Sequence, residues 1–225
     1  MKKFALAALS VALALPAQAA TEIQWWHSMD GALEGWVNDL AKDFNAKQSD
    51  YKVVPVYKGQ YNESLTAGIA AYRAGKAPHI LQVFEVGTAT MMAAKGAAKP
   101  VQTLLKEQGV PFDSKAYIPA VAGYYTAPNG QMMSLPFNSS TTVFYYNKDA
   151  FKKAGLDANK PPKTWPEVEA AAQKLKASGE SCPLTTTWMT WVQLESFSTW
   201  HNTLYATQNN GFGGTSARLL ANSPL

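Results

Sequence analysis

The chain has 225 residues, of which 47% are hydrophobic, and this length allows one ordinary core or the larger part of two. The formal net charge is only +4, part of which comes from Lys2 and Lys3 at the start of the chain. No run of lysines forms a basic stripe, so the composition argues against a nucleic-acid-binding protein.

The first residues match a cleaved secretory signal peptide. A charged start at Lys2-Lys3 is followed by an apolar run from Phe4 to Leu15 and by the small-x-small cleavage site Ala17-Gln18-Ala19. The apolar run is shorter than the roughly 20 residues that a membrane span needs. We therefore predict a signal peptide over residues 1–19 and an exported protein that is not embedded in a membrane, located in the periplasm if the source is bacterial.

Strand and helix patterns alternate through the first part of the mature chain. Strands are predicted at Thr21 to Trp26, at Tyr51 to Tyr57 and at His79 to Phe84, and helices lie between them and from Thr88 to Ala94. The first helix is predicted from apolar residues at helical spacing, namely Leu33, Trp36, Val37, Leu40, Ala41 and Phe44. This βαβαβα order predicts an α/β domain with a parallel sheet.

Beyond Gly130 the pattern is less regular. Strands are predicted at Gln131 to Phe137 and at Thr142 to Asn147, with a short one near Cys182 to Thr187. We expect a second domain to begin near residues 135 to 150.

Two helices of this second part carry clear start signals. Asn147 is a predicted N-cap for Lys148 to Ala154, and Gly155 is a predicted stop. Thr164 and Glu167 form a predicted capping box for the next helix. A last helix is predicted from the spacing of four apolar residues, Trp191, Leu194, Phe197 and Trp200.

The chain lacks the sequence motifs of several enzyme classes. It has no Gly-x-Ser-x-Gly elbow, no Walker loop and no dinucleotide-type glycine motif. His27, His79 and His201 are far apart and do not have zinc-ligand spacing. We therefore predict no metal and no cofactor. Carboxylate pairs for glycoside hydrolysis are spatial rather than sequential, so an exported α/β hydrolase of phosphodiesters or glycosides stays open as the alternative.

Polar and aromatic residues follow the predicted strands of the first part. His27-Ser28, Tyr61 and Glu85 come after the first, second and third strands, and ligands of open α/β sheets bind outside these carboxyl ends. The Glu85 carboxylate can accept hydrogen bonds from two hydroxyls of a polyol. It can equally well cap the helix that follows, and the residues alone do not decide between the two roles.

Three stretches resemble the bacterial extracellular solute-binding proteins, the family that includes the maltose binder. They are WWHSMDG, YKGQYNESLTAGIAAYRAGKAPHILQVFEVGTATMMA and LPFNSSTTVFYYNKDAFKKAGLD followed by PPKTW, and the likeness extends over essentially all of Ile23 to Gly214. The likeness is to family members that bind sn-glycerol-3-phosphate in the periplasm and deliver it to the permease subunits and ATPase of an ABC importer. The resemblance implies a periplasmic-binding-protein-like α/β fold with two lobes, a ligand crevice between them and no catalysis. A related binder specific for a sugar is a further possibility.

The resemblance also implies four ligand contacts. Tyr61 in YKGQY matches a ligand-contacting tyrosine, and Glu85 in FEVGT matches the glutamate that holds the glycerol hydroxyls. Ser140 in FNSST matches a ligand-contacting serine, and Trp188 in TTWMTW matches the tryptophan against which the glycerol moiety packs. Thr187 stands where the pattern has glycine, which puts the local backbone at Trp188 in question.

Members of the family are considerably longer than this chain. We therefore expect residues 20–135 to form the first lobe, and residues 136–225 to form the crossing between lobes and an incomplete second lobe. No arginine fork for the phosphate is evident, because the chain has only two arginines, Arg73 and Arg218, and no motif places either of them.

Overall fold

The structure is a computed structural model that describes residues 19–94, 96–214 and 216–220. The predicted signal peptide falls almost entirely outside these residues. The chain divides into two compact units, Met1–Leu135 and Pro136–Leu225. The assignment of these units to a first lobe and to a crossing segment with an incomplete second lobe stays a prediction.

The first unit has the predicted alternation of strands and helices. Its elements are β1 (Thr21–His27), α1 (Gly31–Lys47), β2 (Tyr51–Tyr57), α2 (Tyr61–Arg73), β3 (Ile80–Leu81), α3 (Glu85–Ala93), α4 (Val101–Glu107), a 3₁₀ turn (Ser114–Ala116) and α5 (Pro119–Tyr124). The sheet is parallel with strand order β2-β1-β3, and Thr21 to His27 pair in register with Tyr51 to Tyr57. The predicted parallel α/β arrangement is confirmed.

The third strand is shorter than the predicted His79 to Phe84. Only Ile80 and Leu81 belong to β3, although the Gln82 N–H still donates to the Trp26 carbonyl oxygen at 2.9 Å. The chain then turns into α3, which begins at Glu85 rather than at the predicted Thr88. A run of apolar residues is compatible with a strand and with the buried start of a helix, and this ambiguity explains the error.

Helix α1 forms where its apolar spacing predicts, but its apolar stripe is only partly covered. Val37 and Ala41 are buried, whereas Leu33, Trp36, Leu40 and Phe44 are 40–53% exposed. The end of α1 is fixed to β2 because the Asn45 side chain exchanges two 2.8 Å hydrogen bonds with the main chain of Val53.

The second unit contains helices and, in its described part, no named strand. The elements are α6 (Lys148–Lys153), α7 (Trp165–Ala177), a π-helix (Met189–Ser196), α8 (Phe197–Trp200) and α9 (Thr207–Asn210). The structure names no strand at Gln131 to Phe137, at Thr142 to Asn147 or at Cys182 to Thr187, so the three strands predicted there are wrong. A strand requires a hydrogen-bonding neighbour as well as an extended pattern. In these three segments the structure records only an isolated bridge between Met132 and Thr126.

Both predicted helix starts in the second unit are confirmed. The Asn147 side chain accepts from the N–H groups of Asp149 and Ala150 at 2.9 and 3.1 Å. Thr164 and Glu167 form the capping box of α7. Helices α6 and α7 then pack their apolar faces together around a small core of Phe151, Ala158, Ala171 and Leu175.

The last predicted helix has an unexpected hydrogen-bond pattern. Its first eight residues, Met189–Ser196, form a π-helix, and an α-helical turn follows at Phe197–Trp200. The N–H groups of Val192 and Gln193 both donate to the Trp188 carbonyl oxygen, at 2.9 and 3.4 Å. In an α-helix each N–H donates to the fourth preceding residue, and in a π-helix it donates to the fifth. The spacing of apolar residues does not distinguish these two kinds of helix.

Candidate functional site

The carboxyl edge of the sheet in the first unit is held together by main-chain and side-chain hydrogen bonds. At the end of β1, the His27 carbonyl oxygen accepts from the Lys58 N–H at 2.9 Å. The next residue, Ser28, donates its N–H to the Gln82 side-chain oxygen, also at 2.9 Å. The ends of β1, β2 and β3 are thus fixed relative to one another at the place where open α/β sheets bind ligands.

Two helix N-termini are joined at this edge. The Gln60 side chain, which precedes α2, donates to the carboxylate of Asp30 at 3.1 Å, and Asp30 is the N-cap residue of α1. The Gln60 N–H in turn donates to the Glu63 carboxylate at 2.8 Å, which satisfies one main-chain donor at the start of α2. The position of Tyr61, the first residue of α2, follows from these contacts.

Tyr61 is a half-buried ring that packs against α3. Its ring lies parallel to the ring of Phe84, with centroids 5.2 Å apart and 4° between the planes. Phe84 is the N-cap residue of α3 and directly precedes Glu85. The structure therefore brings Tyr61 and Glu85 together through a single intervening side chain.

Glu85 is the first residue of α3 and is exposed. It is not the N-cap residue, because Phe84 occupies that position without a side-chain cap. A carboxylate in the first helical turn is stabilised by the positive end of the helix dipole.

A close approach of α2 and α3 supports this arrangement. Gly87 in α3 is buried, and a Cβ atom at this position would lie 2.8 Å from Leu65 Cδ2 and 2.9 Å from Val83 Cγ1. Glycine therefore allows the first turn of α3 to lie against the start of α2, which shortens the distance between the elements that carry Tyr61 and Glu85.

Two neighbouring tyrosines at the end of α5 also contact this site, and sequence reasoning missed them. The Tyr124 hydroxyl donates to the Glu85 main-chain carbonyl oxygen at 2.6 Å. Burial raises the pKa of Tyr125, and the nearby Glu85 and Tyr61 raise the pKa further. The only sequence signal was a doubled tyrosine before the turn sequence Ala-Pro-Asn-Gly.

Ser140 lies in the second unit, in a segment without regular secondary structure. Its side chain is exposed. Two residues later, the Thr142 hydroxyl forms a 3.3 Å hydrogen bond with the hydroxyl of Ser196 at the end of the π-helix. This bond links the segment that carries Ser140 to the helical segment that follows Trp188.

Trp188 has an unusual backbone conformation at the start of the π-helix. Its φ and ψ are 49° and 80°, in the left-handed region, which for a residue with a Cβ costs about 1–2 kcal/mol. Trp188 is 63% exposed, and its ring contacts Trp191 with ring centroids 5.3 Å apart. Thr187, which stands where the family pattern has glycine, raised a question about the backbone at Trp188. The unusual backbone conformation occurs at Trp188 itself.

Among the described residues no group of three or more histidine, cysteine, aspartate or glutamate side chains is arranged to hold a metal ion. No helix in the described ranges has both the length and the apolar character of a membrane span.

Comparison with known proteins gives a family match and close relatives. The family model described as "Bacterial extracellular solute-binding protein" matches residues 30–223. A curated relative from Brucella abortus, named sn-glycerol-3-phosphate-binding periplasmic protein UgpB, is 54% identical over 97% of this chain and 51% of its own length. The protein of the same name from Yersinia enterocolitica is 57% identical over 97% of this chain and 50% of its own length. The chain spans about half the length of the curated relatives it matches.

Solved structures show the same fold at lower identity. UgpB from Mycobacterium tuberculosis in complex with glycerophosphocholine matches with a TM-score of 0.61 at 23% identity, over 72% of this chain and 40% of that one. The cyclic alpha-maltosyl-1,6-maltose binding protein from Arthrobacter globiformis matches with a TM-score of 0.54 at 23% identity, over 72% and 39% of the two chains. These likenesses confirm the predicted periplasmic-binding-protein-like α/β fold.

Proposed function

The chain belongs to the family of bacterial extracellular solute-binding proteins, and we propose that it acts as the periplasmic sn-glycerol-3-phosphate-binding component of an ABC importer. The observation that carries this proposal is 54–57% identity to relatives of that name over 97% of the chain. The partners would be the ligand and the permease subunits and ATPase of the importer. The matching relatives are solute-binding proteins, so the proposed activity is binding without catalysis, and no finding favours the hydrolase alternative.

The glycerol end of the ligand is assigned to Glu85 and Tyr61. Glu85 is an exposed carboxylate at the carboxyl edge of the sheet, and it can accept hydrogen bonds from two neighbouring hydroxyl groups. Tyr61 stands at the start of the adjacent helix, and its stacking on Phe84 limits the orientations that its hydroxyl can take. Their proximity within one unit supports a shared role.

Ser140 and Trp188, both in the second unit, are the other two ligand contacts that the resemblance implies. The Ser140 hydroxyl is exposed and offers one donor and two acceptor sites. The exposed Trp188 indole offers an apolar face to the carbon atoms of glycerol. The Trp191 contact restricts that indole and so reduces the entropy lost when a ligand packs on it.

The direct test is calorimetric titration of sn-glycerol-3-phosphate into the full-length mature protein. We expect saturable binding that maltose does not displace, because a sugar binder would show the opposite preference. Glycerophosphodiesters should be tested as further ligands and should be recovered intact. Release of an alcohol from them, in proportion to protein, would contradict the proposal and support the hydrolase.

The variant Glu85→Gln tests the assigned contact. We expect it to weaken binding by about 1.5–3 kcal/mol, the usual loss for a hydrogen bond to a charged group. Glu34→Gln is the matched control, because Glu34 is also an exposed glutamate in the first turn of a helix of the same unit. Equal affinity of the Glu85→Gln variant and the unmodified protein would remove Glu85 from the site.

A further inference from the structure

We propose that Tyr124 is a positioning residue for Glu85, and that it fixes the first turn of α3 so that the Glu85 carboxylate meets the hydroxyl groups of the ligand. This inference rests on the proposed function, in which Glu85 binds the glycerol end. The observation behind it is the 2.6 Å hydrogen bond from the Tyr124 hydroxyl to the Glu85 carbonyl oxygen, between residues 39 positions apart.

The bond acts on the main chain and leaves the carboxylate available. A carbonyl oxygen has two lone pairs, so that of Glu85 can accept from Tyr124 as well as from a helical N–H group. Helix ends fray more readily than helix centres. The Tyr124 hydroxyl, a hydrogen-bond donor from outside the helix, therefore restricts the motion of the first turn of α3. The conformation of this turn sets the orientation of the Glu85 side chain.

Tyr124 is itself held in place by the segment that follows it. The neighbouring Tyr125 carbonyl oxygen accepts from the Met133 N–H at 2.9 Å, and the Met133 carbonyl oxygen accepts from the Val101 N–H at 3.2 Å. Met132, which directly precedes Met133, is only 1% exposed. The end of α5 is thus braced against the start of α4, and Tyr124 can transmit that rigidity to α3.

Tyr125 shows that the two neighbouring tyrosines lie beside both ligand contacts predicted for the first unit. Its ring makes an edge-to-face contact with Tyr124 at 5.4 Å between centroids. Its pKa is raised first by burial and then by the nearby Glu85 and Tyr61. The tyrosine pair therefore lies beside Tyr61 and Glu85, where a small change in main-chain position alters the geometry of the site.

The test compares Tyr124→Phe with Tyr117→Phe in the complete protein. Both variants remove one hydroxyl and keep the ring, but Tyr117 packs on Phe112 and has no described contact with Glu85. The first measurement needs no ligand and records the ¹³C resonances of the Glu85 main-chain carbonyl and side-chain carboxyl groups. We expect both to shift in Tyr124→Phe and neither to shift in Tyr117→Phe. Unchanged Glu85 resonances in Tyr124→Phe would overturn the proposal.

The second measurement is the affinity for sn-glycerol-3-phosphate by calorimetry. Tyr124→Phe should weaken binding about threefold to tenfold, as the loss of one hydrogen bond predicts, and should have no further effect in a Glu85→Gln background. Additive losses, or an unchanged affinity of Tyr124→Phe, would overturn the positioning role. If the unmodified protein binds no sn-glycerol-3-phosphate, the proposed function fails, and the Glu85 side-chain resonance alone decides whether Tyr124 positions it.

Discussion

The rings of Tyr61 and Phe84 lie face to face, with 5.2 Å between their centroids and 4° between their planes. Tyr61 is the first residue of α2, and Phe84 is the N-cap residue of α3. The stack therefore sets the spacing of two helix N-termini. Because Glu85 follows Phe84 directly, the same contact sets the spacing of the two ligand contacts proposed for the first unit.

Replacing Phe84 by leucine should weaken both the fold and the binding. An aromatic pair is worth about 0.5–1.5 kcal/mol beyond its buried area, and leucine keeps the apolar contact but loses the stack. We expect Phe84→Leu to lower the free energy of unfolding by about 1 kcal/mol and to weaken sn-glycerol-3-phosphate binding about threefold to tenfold. Denaturant unfolding and calorimetry measure the two effects.

Phe112→Leu is the matched control for this substitution. Phe112 contacts Tyr117 in the same unit, with ring centroids 6.3 Å apart, and has no described contact with Tyr61 or Glu85. It should change stability without changing affinity. Equal losses of affinity in both variants would mean that the Phe84 stack has no special connection with the site.

His27 predicts a specific dependence of stability on pH. His27 is 1% exposed, and burial lowers its pKa below the ordinary value of 6.5, against a weaker opposing effect of the Glu34 carboxylate. The unfolded chain therefore takes up a proton at His27 before the folded chain does. We expect the contribution of His27 to the free energy of unfolding to be constant above about pH 7.5. As the pH falls through 6.5 towards the lower pKa of the folded state, this contribution should make the protein progressively less stable.

The measurement is the free energy of unfolding at several pH values for the unmodified protein, His27→Gln and His201→Gln. His27→Gln should reduce the slope of stability against pH in this window, whatever it does to stability itself. His201→Gln is the comparison variant, because it removes an exposed histidine of the second unit. A slope that persists in His27→Gln would assign the pH dependence to other groups.

The capping box of α7 predicts a loss of stability that serine can restore. The Glu167 N–H donates to the Thr164 hydroxyl at 3.4 Å, and the Thr164 N–H donates to the Glu167 carboxylate at 3.2 Å. Thr164→Ala should lower the free energy of unfolding of the second unit by about 1 kcal/mol, and Thr164→Ser should keep most of it. Similar losses in the two variants would show that packing of the threonine methyl group, rather than the cap, stabilises this helix.

Local signals in the sequence were sufficient for elements whose partners lie nearby in the chain. β1, β2 and the capped helices α6 and α7 were predicted because periodicity and capping residues are short-range features. The strand predicted at Thr142 to Asn147 was wrong because pairing is a long-range property, and no partner strand is formed in the described part of the chain.

The site could be predicted only in part, for a related reason. Tyr61 and Glu85 were singled out by their positions after predicted strands, their specific ligand contacts came from a resemblance between motifs, and these roles stay proposals. Tyr124 was missed because its hydrogen bond to Glu85 joins residues 39 positions apart and uses a main-chain acceptor, which leaves no trace in residue type. The left-handed backbone of Trp188 was missed because the residue type does not favour it.

The last prediction concerns the phosphate group, for which the described residues offer no arginine in a suitable place. Arg73 ends α2, about 18 Å along the helix from Tyr61 at the rise of an α-helix, and Arg218 donates to the carbonyl oxygens of Ser216 and Ala217. We expect a polypeptide of residues 20–225 to bind sn-glycerol-3-phosphate only weakly at both low and high ionic strength, because added salt screens only the repulsion from Glu85. Glycerol should bind no more weakly than sn-glycerol-3-phosphate, since Glu85 repels a nearby dianion. Calorimetry at low and high ionic strength measures both ligands. Micromolar binding of sn-glycerol-3-phosphate that survives added salt would contradict this prediction and would place a phosphate site within these residues, with the N-terminus of α3 as the first position to examine.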